Sequence, residues 1–248
     1  MMLPPMLSSG DAVGSQERPL WGLRDIAIGI AAAILLFVFL GLTIVTPLQT
    51  AYGTNAPGFL AGAVVAVALL DAGFVILTYN LARRRGASWS DLGVRSLGRD
   101  LFWITPIALI AAYGCLFLYG LVVQLTGLHF LEPGDQVPDG FFDHKFLLPL
   151  IGIAVIGFAP IGEELFFRGF IFSGLRRLYG LWPAAMISGF LFSLAHTDIG
   201  ALIPFTAIGI LLALAYTRTN SILTPMSIHL CFNLVSFLAL VFIPETRN

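Results

Sequence analysis

Long apolar runs separated by short polar stretches, most of them bearing arginine, set the pattern of this chain. A membrane-crossing helix needs ~20 mainly apolar residues. Ile26–Val45 supplies them with no charged side chain, and Gly58–Leu81 does so with one, Asp71. Leu101–Thr126 is a third run, with Pro106 and Gly114 inside it. A fourth extends from Phe146 to about Ser173, and a break is expected near Pro160, because proline removes a helix donor. Trp182–His196, Ile199–Tyr216 and Ile222–Ile243 follow. The pattern predicts an all-α fold, a polytopic membrane helix bundle of about seven, or eight, transmembrane helices with the fifth short. Residues 1–25 read as a mobile tail, and residues 26–145 as the first three spans with an outer loop. Residues 146–243 hold the remaining spans.

Composition narrows the class. The 248 residues are 58% hydrophobic and 11% charged, whereas soluble domains run near ~25% charged, so a water-solvated globule is excluded. Net charge is −1 and no Lys/Arg-rich run offers phosphate contacts, so nothing points to nucleic acid and none is expected as a partner. Cys115 and Cys231 both lie in apolar runs and read as packing residues, not as a disulfide or metal pair.

The basic residues orient the chain. Arg18, Arg24, Arg83, Arg84, Arg85, Arg95, Arg99, Arg176, Arg177 and Arg218 all fall on one side of a seven-span topology. Lys145 and Arg247 fall on the other, where the loop 127–145 also carries Glu132, Asp135, Asp139 and Asp143. The expectation is a cytoplasmic amino terminus in a bacterial plasma membrane.

Three groups of polar residues interrupt this apolar pattern. In "PIGEELFFRGF" (160–170) two glutamates and an arginine share one span. Insertion scales charge ~2.5–3.5 kcal/mol for each such group at the middle of a membrane helix. "FLFSLAH" ends the fifth span at His196, and "SIHLCFN" places His229 and Asn233 in the seventh. Residues four apart share a helix face, so Glu164 can pair with Arg168 and His229 projects with Asn233, while Glu163 is turned ~100° away. At ~1.5 Å per residue, Glu163 lies ~20 Å and His196 ~21 Å from the cytoplasmic ends of their helices. Asn233 lies ~18 Å and His229 ~12 Å from theirs by the same measure. Three helices thus carry costly side chains to a similar level, which points to one shared site. Asp71 reads as bonded to a neighbouring helix or lining the cavity, and His129 and His144 as solvated in the outer loop.

A carboxylate and an imidazole sharing a water can take its proton as it attacks a carbonyl. A second imidazole and an amide can donate to the oxyanion that develops. Two histidines and a carboxylate can also hold Zn²⁺ with an open position, and the HExxH spacing is absent, so zinc is permitted but not required. Its ligands would be Glu163, His196 and His229.

Glu163-Glu164-x-x-x-Arg168, Phe192-x-x-x-His196 and His229-x-x-x-Asn233, in that order, resemble the three motifs of the CPBP (Abi) family. That family groups Rce1-type CAAX prenyl endopeptidases with bacteriocin-processing and immunity proteins. The resemblance covers roughly residues 146–240 and implies a catalytic membrane domain with a conical cavity open to the cytoplasm. It implies an intramembrane endopeptidase, of the family long labelled metalloprotease, acting on a membrane-associated and in some members lipidated peptide. Glu163 and His196 would activate water, His229 and Asn233 would form the oxyanion site, and Glu164, Arg168 and Phe192 would support them. A non-catalytic scaffold or immunity protein is the competing class. A proton-coupled transporter also uses intramembrane carboxylates and broken helices, but the internal repeat expected of one is not visible.

Overall fold

The computed structural model describes residues 20–134 and 137–243. Arg18, Asp135, Arg247 and residues 1–19 of the expected tail lie outside the described residues.

Helices follow the apolar runs closely. They are α1 (Leu23–Tyr52), α2 (Pro57–Arg84), α3 (Leu101–Thr126), α4 (Lys145–Tyr179), α5 (Leu181–Ala195), α6 (Leu202–Thr219) and α7 (Leu223–Phe242). Two short turns, His129–Leu131 and Gly140–Asp143, lie between α3 and α4. Local chemistry explains several boundaries. Pro57 opens α2 at a position where a missing N–H is harmless, and α3 stops at Gly127, whose φ of 70° is left-handed. Six of the helices are long and apolar enough to cross a membrane. α5 has 15 residues, a rise of ~22 Å against a hydrocarbon core of ~30 Å. It is the short fifth element, and there is no eighth span among the described residues.

α4 is the centre of the bundle. Every residue from Glu164 to Leu175 is buried, which requires neighbours on all sides of the helix. Phe74 of α2 stacks on Phe166 at 4.7 Å, and Phe192 of α5 meets Phe167 edge-on at 5.6 Å. By contrast α1 and α3 turn large apolar side chains outward, among them Leu35, Phe39, Phe102, Trp103 and Phe117. That inside-out surface suits lipid and not water.

Glycines set the closest helix crossings. A Cβ on Gly209 of α6 would stand 2.6 Å from the Gly189 Cα of α5. A Cβ on Gly162 of α4 would stand 2.6 Å from the Asp71 carbonyl oxygen of α2. Small residues let membrane helices approach backbone to backbone, and both crossings lie beside the polar motifs.

The expected break near Pro160 is absent; α4 runs through it. The segment Ile153–Phe158 adopts wide π-type turns, in which the Ala159 N–H bonds the Ala154 carbonyl, five residues back. In that register the Val155 carbonyl would be served by residue 160, a proline without an N–H. Asn233 of α7 takes its place, with Nδ2 donating to the Val155 oxygen at 2.7 Å. The helix stays continuous because a neighbouring side chain satisfies the group that proline leaves unpaired. Both cysteines are free thiols.

Candidate active site

Motif side chains from α4, α5 and α7 meet on the inner face of the bundle. The wide turns of Glu164–Phe172 still allow the four-residue pairing, and Arg168 Nη1 donates to Glu164 Oε1 at 2.7 Å. Both side chains are wholly buried. Arg168 Nη2 also donates to the Gly209 carbonyl at 3.2 Å, and the guanidinium lies over the Phe192 ring at 4.3 Å. A buried charge needs both a partner and hydrogen bonds, and Arg168 has each.

The same carboxylate oxygen reaches α7. His229 Nδ1 lies 3.0 Å from Glu164 Oε1. An ionised carboxylate only accepts, so Nδ1 carries the hydrogen and Nε2 is left for other work. Nε2 is 3.9 Å from Glu163 Oε2, too long for a hydrogen bond. Glu163 Oε2 is buried with no partner among the described residues. Oε1 of Glu164 is therefore committed to Arg168 and His229 while its Oε2 is buried without a partner among the described residues, and Glu163 holds its own unengaged Oε2 toward the second imidazole nitrogen.

His196 ends α5. Its Nδ1 lies 3.0 Å from the Phe192 carbonyl, an acceptor, so this nitrogen is the donor and Nε2 holds the lone pair. Its ring packs edge-on between Phe192 and Phe205, 4.8 Å from each. The chain turns sharply just beyond, where Thr197 adopts a φ of 55°. A β-branched residue in the left-handed region is strained. Phe192 also faces His229 edge-on at 5.7 Å, so one ring touches both histidines and Arg168.

Among the expected site residues, direct polar contacts link Glu164, Arg168 and His229, with Glu163 beside them. Phe192 connects His196 to this group through ring contacts. Asn233 stands apart in its bonding, since one amide N–H is spent on Val155 and the other remains for a ligand. Among the described residues no three His, Cys, Asp or Glu side chains are grouped so as to hold a metal ion, so no step below is routed through zinc.

Sequence reading did not anticipate three parts of this arrangement. Gly209 offers its carbonyl to Arg168, Phe205 packs on His196, and the Val155 carbonyl takes up Asn233. Pro160 was the available signal for the last, since it orphans an acceptor. The other two depend on how α6 lies against α4 and α5, which no local pattern reveals.

Residues 145–235 match the family model described as type II CAAX prenyl endopeptidase Rce1-like. Over these residues the chain is similar to the Rce1-like family. Among curated proteins, the putative membrane peptidase YdiL of Bacillus subtilis is 34% identical over 62% of this chain and 61% of its own length. The membrane-embedded CAAX protease MroQ of Staphylococcus aureus is 28% identical over 53% of this chain and 56% of its own. An uncharacterized 24.3 kDa protein of Escherichia coli is 27% identical over 50% of this chain and 57% of its own. The matches thus span less than two thirds of each relative. No solved structure matches the chain. The matched family segment begins at the first residue of α4 and ends within α7, so it contains all three motifs.

Proposed function

We propose that this chain is an intramembrane endopeptidase that hydrolyses a peptide bond in a membrane-associated protein or peptide by means of activated water. The observation that carries the reading is the division of labour between adjacent glutamates. Arg168 and His229 both hold Oε1 of Glu164, whereas no hydrogen bond from either reaches Glu163, whose buried Oε2 stands 3.9 Å from His229 Nε2.

The chemistry follows from the free atoms. Glu163 and the Nε2 lone pair of His196 flank the attacking water, and Glu163 accepts its proton as the oxygen bonds to the carbonyl carbon. The carbonyl electron pair moves onto oxygen. That oxyanion receives hydrogen bonds from the remaining N–H of Asn233 and from Nε2–H of His229 when its ring is the imidazolium, with Nδ1–H held by Glu164. Collapse breaks the C–N bond, and the proton held by Glu163 passes to the departing amine. Glu164, Arg168 and Phe192 hold the acceptors and donors in place. No cofactor enters this scheme.

Substrate class is read from the relatives. The name of the S. aureus relative specifies a CAAX protease, and on that basis a lipidated peptide joins unmodified membrane peptides among the substrates to be tested. The arginine asymmetry supports a cytoplasmic amino terminus, and the bacterial membrane relatives support a plasma-membrane location.

The test compares the small-peptide content of membranes from cells making wild-type chain or Glu163→Gln, followed by assay of the purified chain on any peptide that differs. Glu163→Gln keeps the side-chain shape without the base, so hydrolysis should be nearly abolished while peptide binding persists. Asn233→Ala should lose ~10²–10³ in turnover, the usual effect of one oxyanion donor. Full activity in Glu163→Gln would sink the assignment of the base. A cellular phenotype retained by both Glu163→Gln and His196→Ala would favour a scaffold or immunity role.

A further inference from the structure

His196 is the first residue beyond α5, so its place depends on the turn that leads into α6. With 15 residues, α5 rises ~22 Å against a hydrocarbon core of ~30 Å, and a helix that starts at one surface ends below the other. Non-helical backbone at such depth needs its hydrogen-bond partners within the protein. The turn also holds Thr197 at a φ of 55°, a conformation that persists only where the surroundings over-determine it. Asp198 supplies both needs. Its Oδ1 accepts the Gly200 N–H at 2.8 Å within the turn, and its Oδ2 accepts the Gly134 N–H at 3.0 Å from the α3–α4 connection. There the two segments pack backbone to backbone: Gly200 is buried, and a Cβ on it would overlap the Glu132 carbonyl. The α3–α4 connection is anchored in turn by Tyr119 of α3, which donates to the Leu131 carbonyl at 3.0 Å. From the other side the Ser193 hydroxyl donates to the Leu202 carbonyl at 2.8 Å, closing α5 onto α6.

Neither Asp198 bond reaches the reacting atoms, but both act on the residue two positions earlier. The His196 ring packs between Phe192 of α5 and Phe205 of α6, so its orientation follows from how the turn returns the chain to α6. A carboxylate accepting backbone N–H groups makes charge-assisted bonds, roughly twice as strong as neutral ones. We propose that Asp198 is a positioning residue for His196: it clamps the turn to the α3–α4 connection and so holds Nε2 of His196 toward the reacting water. Asp198 touches no substrate and exchanges no proton in the reaction. The Gly134 half of the clamp lies outside the residues that match the family model. This role deepens the endopeptidase reading and rests on it for its purpose, although the clamp itself does not depend on turnover.

Magnetic resonance of the full chain in lipid bilayers, with isotope-labelled histidine rings, tests the clamp without a substrate. The sequence holds four histidines, and the His196 signals are those that His196→Ala removes. Asp198→Ala should shift or broaden the His196 signals while those of His144 and His229 stay in place, whereas a general loss of fold would move all of them. Asp198→Asn, with one carbonyl oxygen where the carboxylate has two, should move them less. If Asp198→Ala fails to fold, Gly134→Pro decides, because it removes the N–H donor from the opposite side of the clamp. His196 signals left unmoved by a folded variant overturn the proposal. On a peptide that the wild type cleaves, Asp198→Ala should lower kcat by up to ~10²-fold, the scale for a misplacement of about 1 Å, with KM unchanged. A raised KM with kcat intact would assign Asp198 to substrate binding instead. Shifted His196 signals in a chain that cleaves nothing would keep the clamp and remove the endopeptidase reading. Hydrolysis abolished by Glu163→Gln, with His196 unmoved in Asp198→Ala, would do the reverse.

Discussion

Arg168 shows how an arginine can reside inside a membrane bundle. Its guanidinium is 0% exposed and meets a carboxylate, a backbone carbonyl and an aromatic face. Such a pair contributes little net stability relative to apolar packing, yet breaking it is expensive because one charge is stranded. Arg168→Ala should therefore lower stability by ~3–5 kcal/mol, measured as a large fall in the detergent melting midpoint, with activity lost alongside. Arg168→Lys should rescue only in part, since a lysine ammonium cannot reach Glu164 and Gly209 in the fork geometry of arginine. A normally stable Arg168→Ala chain that loses only turnover would reassign this residue to the substrate.

Within α4, proline and asparagine act as a unit across two helices. Pro160 withholds an N–H, the π-type turn places the Val155 carbonyl without a backbone partner, and Asn233 fills the gap. This couples the position of α7 to that of α4 beside the site. An unpaired buried carbonyl costs about 1–3 kcal/mol, so Asn233→Ala should destabilise the chain as well as slow it. Pro160→Ala restores an N–H in the register that Val155 needs. In that background Asn233→Ala should destabilise less than in the wild type. The double-mutant cycle should show a coupling of ~0.5–3 kcal/mol, the range for residues sharing one network. Independent effects would mean that the carbonyl finds its partner elsewhere.

Over the whole molecule, the arginine distribution and the helix order support the proposed orientation. The ends of α2, α4 and α6 carry Arg84, Arg176 and Arg218, and the loop after α2 is tied to the α6–α7 turn. There the Ile222 N–H donates to the Gly93 carbonyl at 2.8 Å, and the Ser221 hydroxyl donates to the Arg95 carbonyl at 2.8 Å. The opposite end is closed by Tyr119 donating to the Leu131 carbonyl at 3.0 Å and by His144 against the Asn55 carbonyl at 3.1 Å. With Cys115 and Cys231 replaced by alanine, Arg84→Cys should be labelled by a membrane-impermeant thiol reagent only from the cytoplasm. Lys145→Cys should be labelled only from outside. The reverse pattern would invert the topology.

The helices were legible in the sequence because bilayer thickness demands long apolar runs, and those runs are unmistakable from Ile26 to Phe242. The pairing of Glu164 with Arg168 was legible for a related reason, since four-residue spacing is a property of the helix itself. Tertiary structure decided what lies between helices. Pro160 predicts a break from its own chemistry, but Asn233, bonded to Val155 across 78 positions of sequence, removes the need for one. Glu163 and Glu164 are adjacent and identical in type, so spacing alone cannot assign their partners. Tertiary packing hands Arg168 and the Nδ1 of His229 to Glu164 and leaves Glu163 beside the other nitrogen of that ring. Local patterns record what a helix requires of its own residues. Which side chain meets which is set by helix crossings, where a single glycine fixes the distance between two backbones.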